Sequence, residues 1–210
     1  MSQSEAGPHR PETGSKAMVL DRPVRTVGIL LAAGASRRFG PGDKLLAPLR
    51  GRPLVHWSAS ALQDSACQRV AAIVSSHEVE AALPPGFVVR HVPPLESMAR
   101  SFRAAVGLAE KMSAERALIC LGDMPAITAG LLGELLARRR NSACRSAGRR
   151  LPPVLLYASS YRAARESARA DAGARDFIAR LPAEDLLEIG EESAADVDTV
   201  SDLRFLGGGF

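Results

Sequence analysis

Three groups of residues in this 210-residue chain could do chemistry. The first is a glycine-rich turn carrying Gly34, Ser36, Arg37, Arg38, Gly40, Gly42 and Lys44. It follows at once on the apolar run Val27–Leu31 and the small residues Ala32 and Ala33. Glycines let the backbone take positive φ and approach a ligand closely. Free N–H groups in such a loop point at anions, and Arg38 and Lys44 add charge. The chemistry suggested is a polyphosphate held at the end of a first strand. The second group is Asp123, in Gly122-Asp123-Met124-Pro125, after the apolar run Ala117–Leu121. A carboxylate beside phosphates makes sense chiefly with a divalent cation between them, and Mg²⁺ usually takes one or two carboxylates plus phosphate oxygens and water. Taken alone, Gly-Asp-x-Pro is ordinary turn chemistry. The third group is Asp196 and Asp198, which either supply a further carboxylate or cap a following helix.

These residues need elements to position them. The spacing predicts a buried strand over Val27–Leu31, a helix over Leu54–Leu62, a strand over Val70–Val74 and a short helix over Glu78–Leu83. A strand over Phe87–Val92, an amphipathic helix over Met98–Met112 and a strand over Ala117–Leu121 follow. Thr128 is the expected N-cap of a helix through Leu136. Beyond it, a strand over Val154–Tyr157, helices over Tyr161–Ala168 and Arg175–Leu181, an edge strand over Leu186–Ile189 and a short last helix capped by Asp198 or Thr199 are expected, with Gly207–Gly209 frayed. Strands alternating with helices imply an α/β fold, a Rossmann-like three-layer sandwich with a mostly parallel sheet. In the common strand order 3-2-1-4, the first and fourth strands are neighbours, which would bring Asp123 beside the glycine-rich turn. Ligands bind beyond the carboxyl ends of such strands.

Two familiar phosphate motifs are excluded. Lys44 lies between Asp43 and Leu45, so there is no G-x-x-x-x-G-K-[ST]; Ala35 and Ser36 after Gly34 break G-x-G-x-x-G. Composition excludes more. With 46% hydrophobic and 24% charged residues the chain reads as an ordinary globular protein, and no apolar run is long enough to cross a bilayer. The net charge of +4 is spread out. Its tightest cluster, Arg138–Arg140 with Arg145, Arg149 and Arg150, reads as a solvated helix end, because no aromatics interleave to stack bases. No nucleic-acid or membrane partner is expected. The odd, scattered Cys67, Cys120 and Cys144 suggest neither a zinc site nor a disulfide framework. Residues 1–24 are polar, lack an apolar signal core and read as a disordered leader before a single domain over 25–206, which gives a cytoplasmic expectation. His56, His77 and His91 stand outside the three groups and read as surface or packing residues.

The fixed positions Leu31, Ala32, Ala33, Gly34, Ser36, Arg38, Phe39, Gly40 and Lys44, followed by Pro48-Leu49 and Pro53-Leu54, resemble the MobA-like nucleotidyltransferases. Leu121–Pro125 is similar to that family's metal-binding Asp segment, Asp196–Leu203 to its C-terminal segment, and Asp171-Ala172-Gly173-Ala174-Arg175 to a D-x-G-A-R element. Together they look like the molybdenum cofactor cytidylyltransferases. The resemblance implies transfer of CMP from CTP to the phosphate of the molybdenum-pterin cofactor, with release of pyrophosphate. It implies nucleotide binding by Leu31, Ala32, Ala33, Gly34, Ser36, Arg38 and Lys44, catalytic roles for Arg38, Lys44 and Asp123, and Mg²⁺ on Asp123 and Asp198. Ala33 is the cytidine-type choice, where guanylyl-transferring relatives carry glycine. A molybdenum hydroxylase or its chaperone is the implied downstream partner. One segment departs: Leu151 and Pro152 stand where the family's G-x-R-G-H-P-like stretch has Gly-His, on the acceptor side. A guanylyl- or other nucleotidyltransferase with a different phosphate acceptor, and a non-catalytic protein that delivers the finished cofactor, are the alternatives.

Overall fold

The computed structural model describes residues 25–34, 36, 38–40, 42–94, 97–168 and 173–208. The expected leader over 1–24 lies outside these residues, as do Arg37 and the Asp171-Ala172 half of the D-x-G-A-R element.

In chain order the first half holds β1 (Thr26–Ala32), a hairpin of β2 (Pro48–Leu49) and β3 (Arg52–Pro53), α1 (Leu54–Gln63), β4 (Arg69–Val74), α2 (His77–Ala81), β5 (Val88–His91) and α3 (Met98–Lys111). The second half holds β6 (Arg116–Leu121), α4 (Ala129–Leu136), β7 (Ser142–Ser146), β8 (Arg149–Tyr157), α5 (Tyr161–Ser167), α6 (Arg175–Ile178), β9 (Leu186–Glu188) and α7 (Val200–Gly208). Seven strands form one sheet in the order β5-β4-β1-β6-β8-β7-β9. The first, second, third and fourth strands of that sheet therefore lie 3-2-1-4, as expected. Only β8 runs against its neighbours.

Strand β1 is buried at every position, because helices cover both faces of the sheet. Val27, Ile29 and Leu31 pack among residues of α3, α5 and α6, including Phe102 and Phe177. Leu30 and Ala32 point the other way, toward Val55, Ala59 and Leu62 of α1 and Leu132 and Leu135 of α4. Gly28 faces that second layer. A Cβ there would meet Leu62 Cδ1 at 2.7 Å and Cys67 Sγ at 3.1 Å, so glycine is what lets α1 lie against the strand.

The structure departs from the sequence reading after α4. Arg145, Arg149 and Arg150 do not belong to a helix end. They sit on the antiparallel hairpin of β7 and β8, whose two-residue turn, Ala147-Gly148, has positive φ at both positions (46° and 77°). An Ala-Gly turn inside an arginine-rich stretch lacks the Asn-Gly or Asp-Gly signature, which is why the periodicity missed β7. Strand β8 also starts before the prolines rather than after them. Leu151 opposes Cys144 and Val154 opposes Ala143, so Pro152 and Pro153 form a bulge. Proline cannot donate to a ladder and is tolerated at such a bulge. The tail also differs from expectation: Gly207 and Gly208 continue α7 instead of fraying. That helix is pinned by a small third core, in which Leu49, Leu54 and Val197 pack with Phe39, Trp57, Leu203 and Leu206.

Candidate active site

Strands β1 and β6 end side by side, and their following loops meet. Gly122 N–H donates to the Leu31 carbonyl at 2.9 Å. A Cβ on Gly122 would sit 3.3 Å from that oxygen and 3.4 Å from Leu45 and Val55 side-chain carbons, so the two loops meet closely enough that a side chain here would fit only tightly.

In the loop after β1, Ser36 holds φ at 48° and its hydroxyl donates to Asp43 Oδ1 at 3.2 Å while accepting Lys44 N–H at 3.2 Å. The Asp43 carboxylate also accepts Leu45 N–H at 2.9 Å, capping a single 3₁₀ turn over Lys44–Leu46. This turn buries the lysine stem and aims its ammonium inward. Lys44 Nζ donates to Asp123 Oδ2 at 2.6 Å, to the Val197 carbonyl at 2.9 Å and to Asp198 Oδ1 at 3.3 Å. The side chains of Lys44 and Asp123 are only 11% and 16% exposed, so this is a nearly dry ion pair. Arg38 Nη2 reaches Asp198 Oδ2 at 3.0 Å from a side chain that is 76% exposed.

The segment carrying Asp198 is fixed from two sides. Val197 N–H donates to the Asp123 carbonyl at 2.9 Å, tying it to the loop after β6. At the start of α7, Thr199 and Asp202 cap each other: Asp202 N–H donates to Thr199 Oγ1, and the Asp202 carboxylate accepts from the Thr199 hydroxyl and from the N–H groups of Asp198 and Thr199. Thr199, not Asp198, is the cap, which leaves the Asp198 carboxylate for the site. Burial works to raise the Asp202 carboxyl, but these donors hold it below its ordinary value.

The electrostatics of the cluster follow from its geometry. Burial alone would lower the Lys44 pKa, but Asp123 and Asp198 outweigh it and hold the ammonium above its ordinary value. Burial pushes the Asp123 carboxyl up, Lys44 pulls it back and Asp196 raises it further. Among the described residues, the buried Asp123 Oδ1 has no hydrogen-bond partner. An orphaned carboxylate oxygen in an all-oxygen donor set suits a hard divalent cation.

Of the residues singled out in sequence, the fold brings Arg38, Lys44, Asp123 and Asp198 together. Ala32 and Ala33 are buried in the two opposite cores and Leu31 is nearly so, which makes them walls of the strand end rather than open ligand contacts. Gly34 is exposed and Ser36 positions Lys44. His56 lies on α1 with Arg52 and Ser60, away from the cluster.

Beside the cluster opens a cavity of about 700 Å³, lined by Leu31, Arg38, Met98, Met124, Leu151, Pro152, Arg150, Arg175 and Asp196 among others. Sequence reasoning did not assign Asp43, Met98, Arg150 or Arg175. Asp43 directly precedes Lys44 and could have been read as a cap; the others meet only through the fold. Arg150 Nη1 donates to the carbonyls of Ile178, Ala179 and Leu181 at 3.2, 2.9 and 2.6 Å, so it clamps the end of α6 that walls this cavity. Gly173 has φ at 55°, and a Cβ there would meet Met98 Cγ at 2.4 Å, so the D-x-G-A-R glycine seats α3 against the same wall.

Residues 28–186 match the family described as the MobA-like NTP transferase domain. The chain is 32% identical over 192 residues to nicotine blue oxidoreductase of Paenarthrobacter nicotinovorans, covering 84% of this chain and 93% of that protein. It is 33% identical over 149 residues to molybdenum cofactor guanylyltransferase of Xanthomonas euvesicatoria pv. vesicatoria, covering 70% of this chain and 71% of that one. Among solved structures, Rv0371c of Mycobacterium tuberculosis H37Rv superposes with a TM-score of 0.73 at 22% identity, over 90% of this chain and all of that one. The same protein in complex with manganese gives 0.70 at 20% identity, over 89% of this chain and all of that one. At these identities the structural likeness shows the fold.

Proposed function

The chain belongs to the MobA-like NTP transferase family, and from that membership we propose that it transfers CMP from CTP to the phosphate of the molybdenum-pterin cofactor, releasing pyrophosphate. The observation that carries the transferase reading is the convergence of Lys44, Asp123, Asp198 and Arg38 beyond the ends of β1 and β6, at the mouth of a cavity large enough for an acceptor.

The attacking group is a phosphate monoester oxygen, which is mostly dianionic near neutral pH. It forms a bond to the α-phosphorus as the bond to the β-phosphate bridging oxygen breaks and pyrophosphate leaves. No side-chain base is required. The work of the site is positioning and neutralisation of charge. Lys44 balances the carboxylates of Asp123 and Asp198 and is placed to take charge on the triphosphate. Arg38, tethered at one end only, adapts to the same phosphates. Asp123, with its orphaned Oδ1, and Asp198 would hold Mg²⁺, which supplies charge neutralisation at the phosphate oxygens. A relative crystallised with manganese supports a divalent ion in this fold.

The acceptor reading is supported by the guanidinium groups of Arg38, Arg149, Arg150 and Arg175, which outnumber the one carboxylate of Asp196 on a cavity that also presents Leu31, Met98, Leu121 and Met124, a setting for an anionic group on a flat, apolar body. A second reading, GMP transfer from GTP, is favoured by the relatives named guanylyltransferases. Ala33 points into the core, so any selection of the base by this residue acts through the position of the strand end.

The deciding experiment is pyrophosphate release by the purified protein with Mg²⁺, the molybdenum-loaded pterin and CTP or GTP in parallel. Release with CTP well above GTP is the expected result, and removal of Mg²⁺ by chelation abolishes it. Preference for GTP keeps the site and overturns the cytidylyl assignment. No release with either overturns the molybdenum-pterin acceptor first, where Leu151 and Pro152 depart from the family's stretch, and leaves transfer to a different phosphate acceptor or delivery of the finished cofactor to a molybdenum hydroxylase.

A further inference from the structure

At the β5 edge of the sheet, outside the phosphate site, three side chains converge that the proposed reaction does not use. His77 and Glu80 lie one turn apart on α2, and His91 ends β5. The pairing of β5 with β4 sets His91 opposite Val74, and α2 begins three residues after Val74, which is what brings the strand residue to the helix. The start of α2 is fixed by Ser76, whose hydroxyl accepts Val79 N–H at 3.2 Å. Glu80 Oε2 lies 3.3 Å from His77 Nδ1 and 2.8 Å from His91 Nε2, and the imidazole centroids are 4.5 Å apart. One ligand atom from each residue lies within 4.8 Å of the other two.

We propose that His77, Glu80 and His91 form a binding site for a divalent transition-metal ion of the zinc class. Zinc bonds to imidazole nitrogen and carboxylate oxygen of about 2.0–2.2 Å set neighbouring ligands roughly 3.3–3.5 Å apart in a tetrahedron, so small side-chain adjustments suffice. Two imidazoles with one carboxylate select zinc or a like ion over Mg²⁺ or Ca²⁺, which the oxygen-only set around Asp123 would prefer. Three protein donors leave a position for water or an anion. His91 also lines a cleft of about 530 Å³ with Arg90, Arg100, Arg103 and Lys111 and with Arg165, which pairs with Glu110 there; the cations outnumber that one carboxylate, a surrounding that favours an anion as the fourth ligand. The bound ion would tie α2 to the edge strand β5.

The test is titration of ZnCl₂ into the tag-free, chelator-treated full chain by calorimetry, with Co²⁺ absorption as a second readout of coordination. One Zn²⁺ per chain is expected, with affinity weakened at least about tenfold in His77→Ala and in His91→Ala and unchanged in Asp123→Asn. Intense visible absorption of the Co²⁺ form is expected in the wild type and lost in His91→Ala. Glu80→Gln, which keeps the shape of the carboxylate, gives the same reading if a histidine variant melts early. Absence of zinc binding in the wild type, binding unchanged in His77→Ala, His91→Ala and Glu80→Gln alike, or binding lost in Asp123→Asn instead, overturns the proposal.

Discussion

Lys44 spends all three of its ammonium donors on Asp123, Val197 and Asp198, and it does so where little water reaches. Removing one partner therefore has two effects. Lys44→Ala leaves two carboxylates facing each other in a nearly dry pocket, which costs about 3–5 kcal/mol of stability. It also lowers turnover at least ~100-fold, by loss of a placed charge at the phosphates. Asp123→Ala lowers turnover by a similar factor. Lys44→Met/Asp123→Asn removes both charges and recovers most of the stability while turnover stays low. Urea midpoints and pyrophosphate release on the three variants and the wild type separate the two effects. Near-normal turnover in both single variants would end the roles assigned to these residues. In the sequence, Lys44 was conspicuous as one of only three lysines in a chain rich in arginine. Its meeting with Asp198, 154 positions away, was not legible from the residues themselves.

At the scale of elements, two contacts hold the walls of the site. Arg150 accounts for three carbonyls at the end of α6. Arg150→Ala is expected to destabilise the fold by about 2 kcal/mol, the range for hydrogen bonds to a charged group. Because α6 walls the cavity, the variant should raise the KM for the acceptor more than it lowers kcat. An unchanged KM would separate the clamp from the cavity. Thr199→Ala removes one half of the cap of α7, costs about 1 kcal/mol and loosens the segment that presents Asp198. Its thermal midpoint and its turnover should fall together. The cap was foreseeable from Thr199 and Asp202 three residues apart. The β7–β8 hairpin was not, since neither its turn residues nor its arginines carry a strand signal. What identifies the hairpin is its pairing with β6 and β9.

For the whole molecule, the buried thiols give a pH dependence. Burial pushes Cys144 up to about 12, Glu134 adding to it, and drives Cys120 well above the ordinary thiol value. Both ionise more readily in the unfolded chain than in the folded one. Between pH ~9 and ~12 the unfolded state thus holds fewer protons, and stability falls as pH rises. For Cys144 alone the three-unit difference corresponds to about 4 kcal/mol by the upper end of that range. Urea midpoints measured from pH 8 to pH 11 should fall steeply in the wild type and less so in Cys120→Ala/Cys144→Ala. Equal slopes would remove the thiols as the cause.

The strand order around β1 follows only from what is common in such folds, and the sheet has it; the sequence by itself determined the α/β class and the two loops that bear the chemistry. These are properties of local pattern, in which apolar runs of strand length alternate with helical spacing and glycine or Asp-Pro punctuation marks each strand's end. Tertiary structure alone decided that Lys44 stands between Asp123 and Asp198, that Arg150 clamps a wall of the cavity beside them, and that His91 meets His77 and Glu80. Each of those meetings joins side chains from separate elements at distances of a few ångströms. Sheet register and helix docking set such distances, and neither is written in the spacing of residues along the chain.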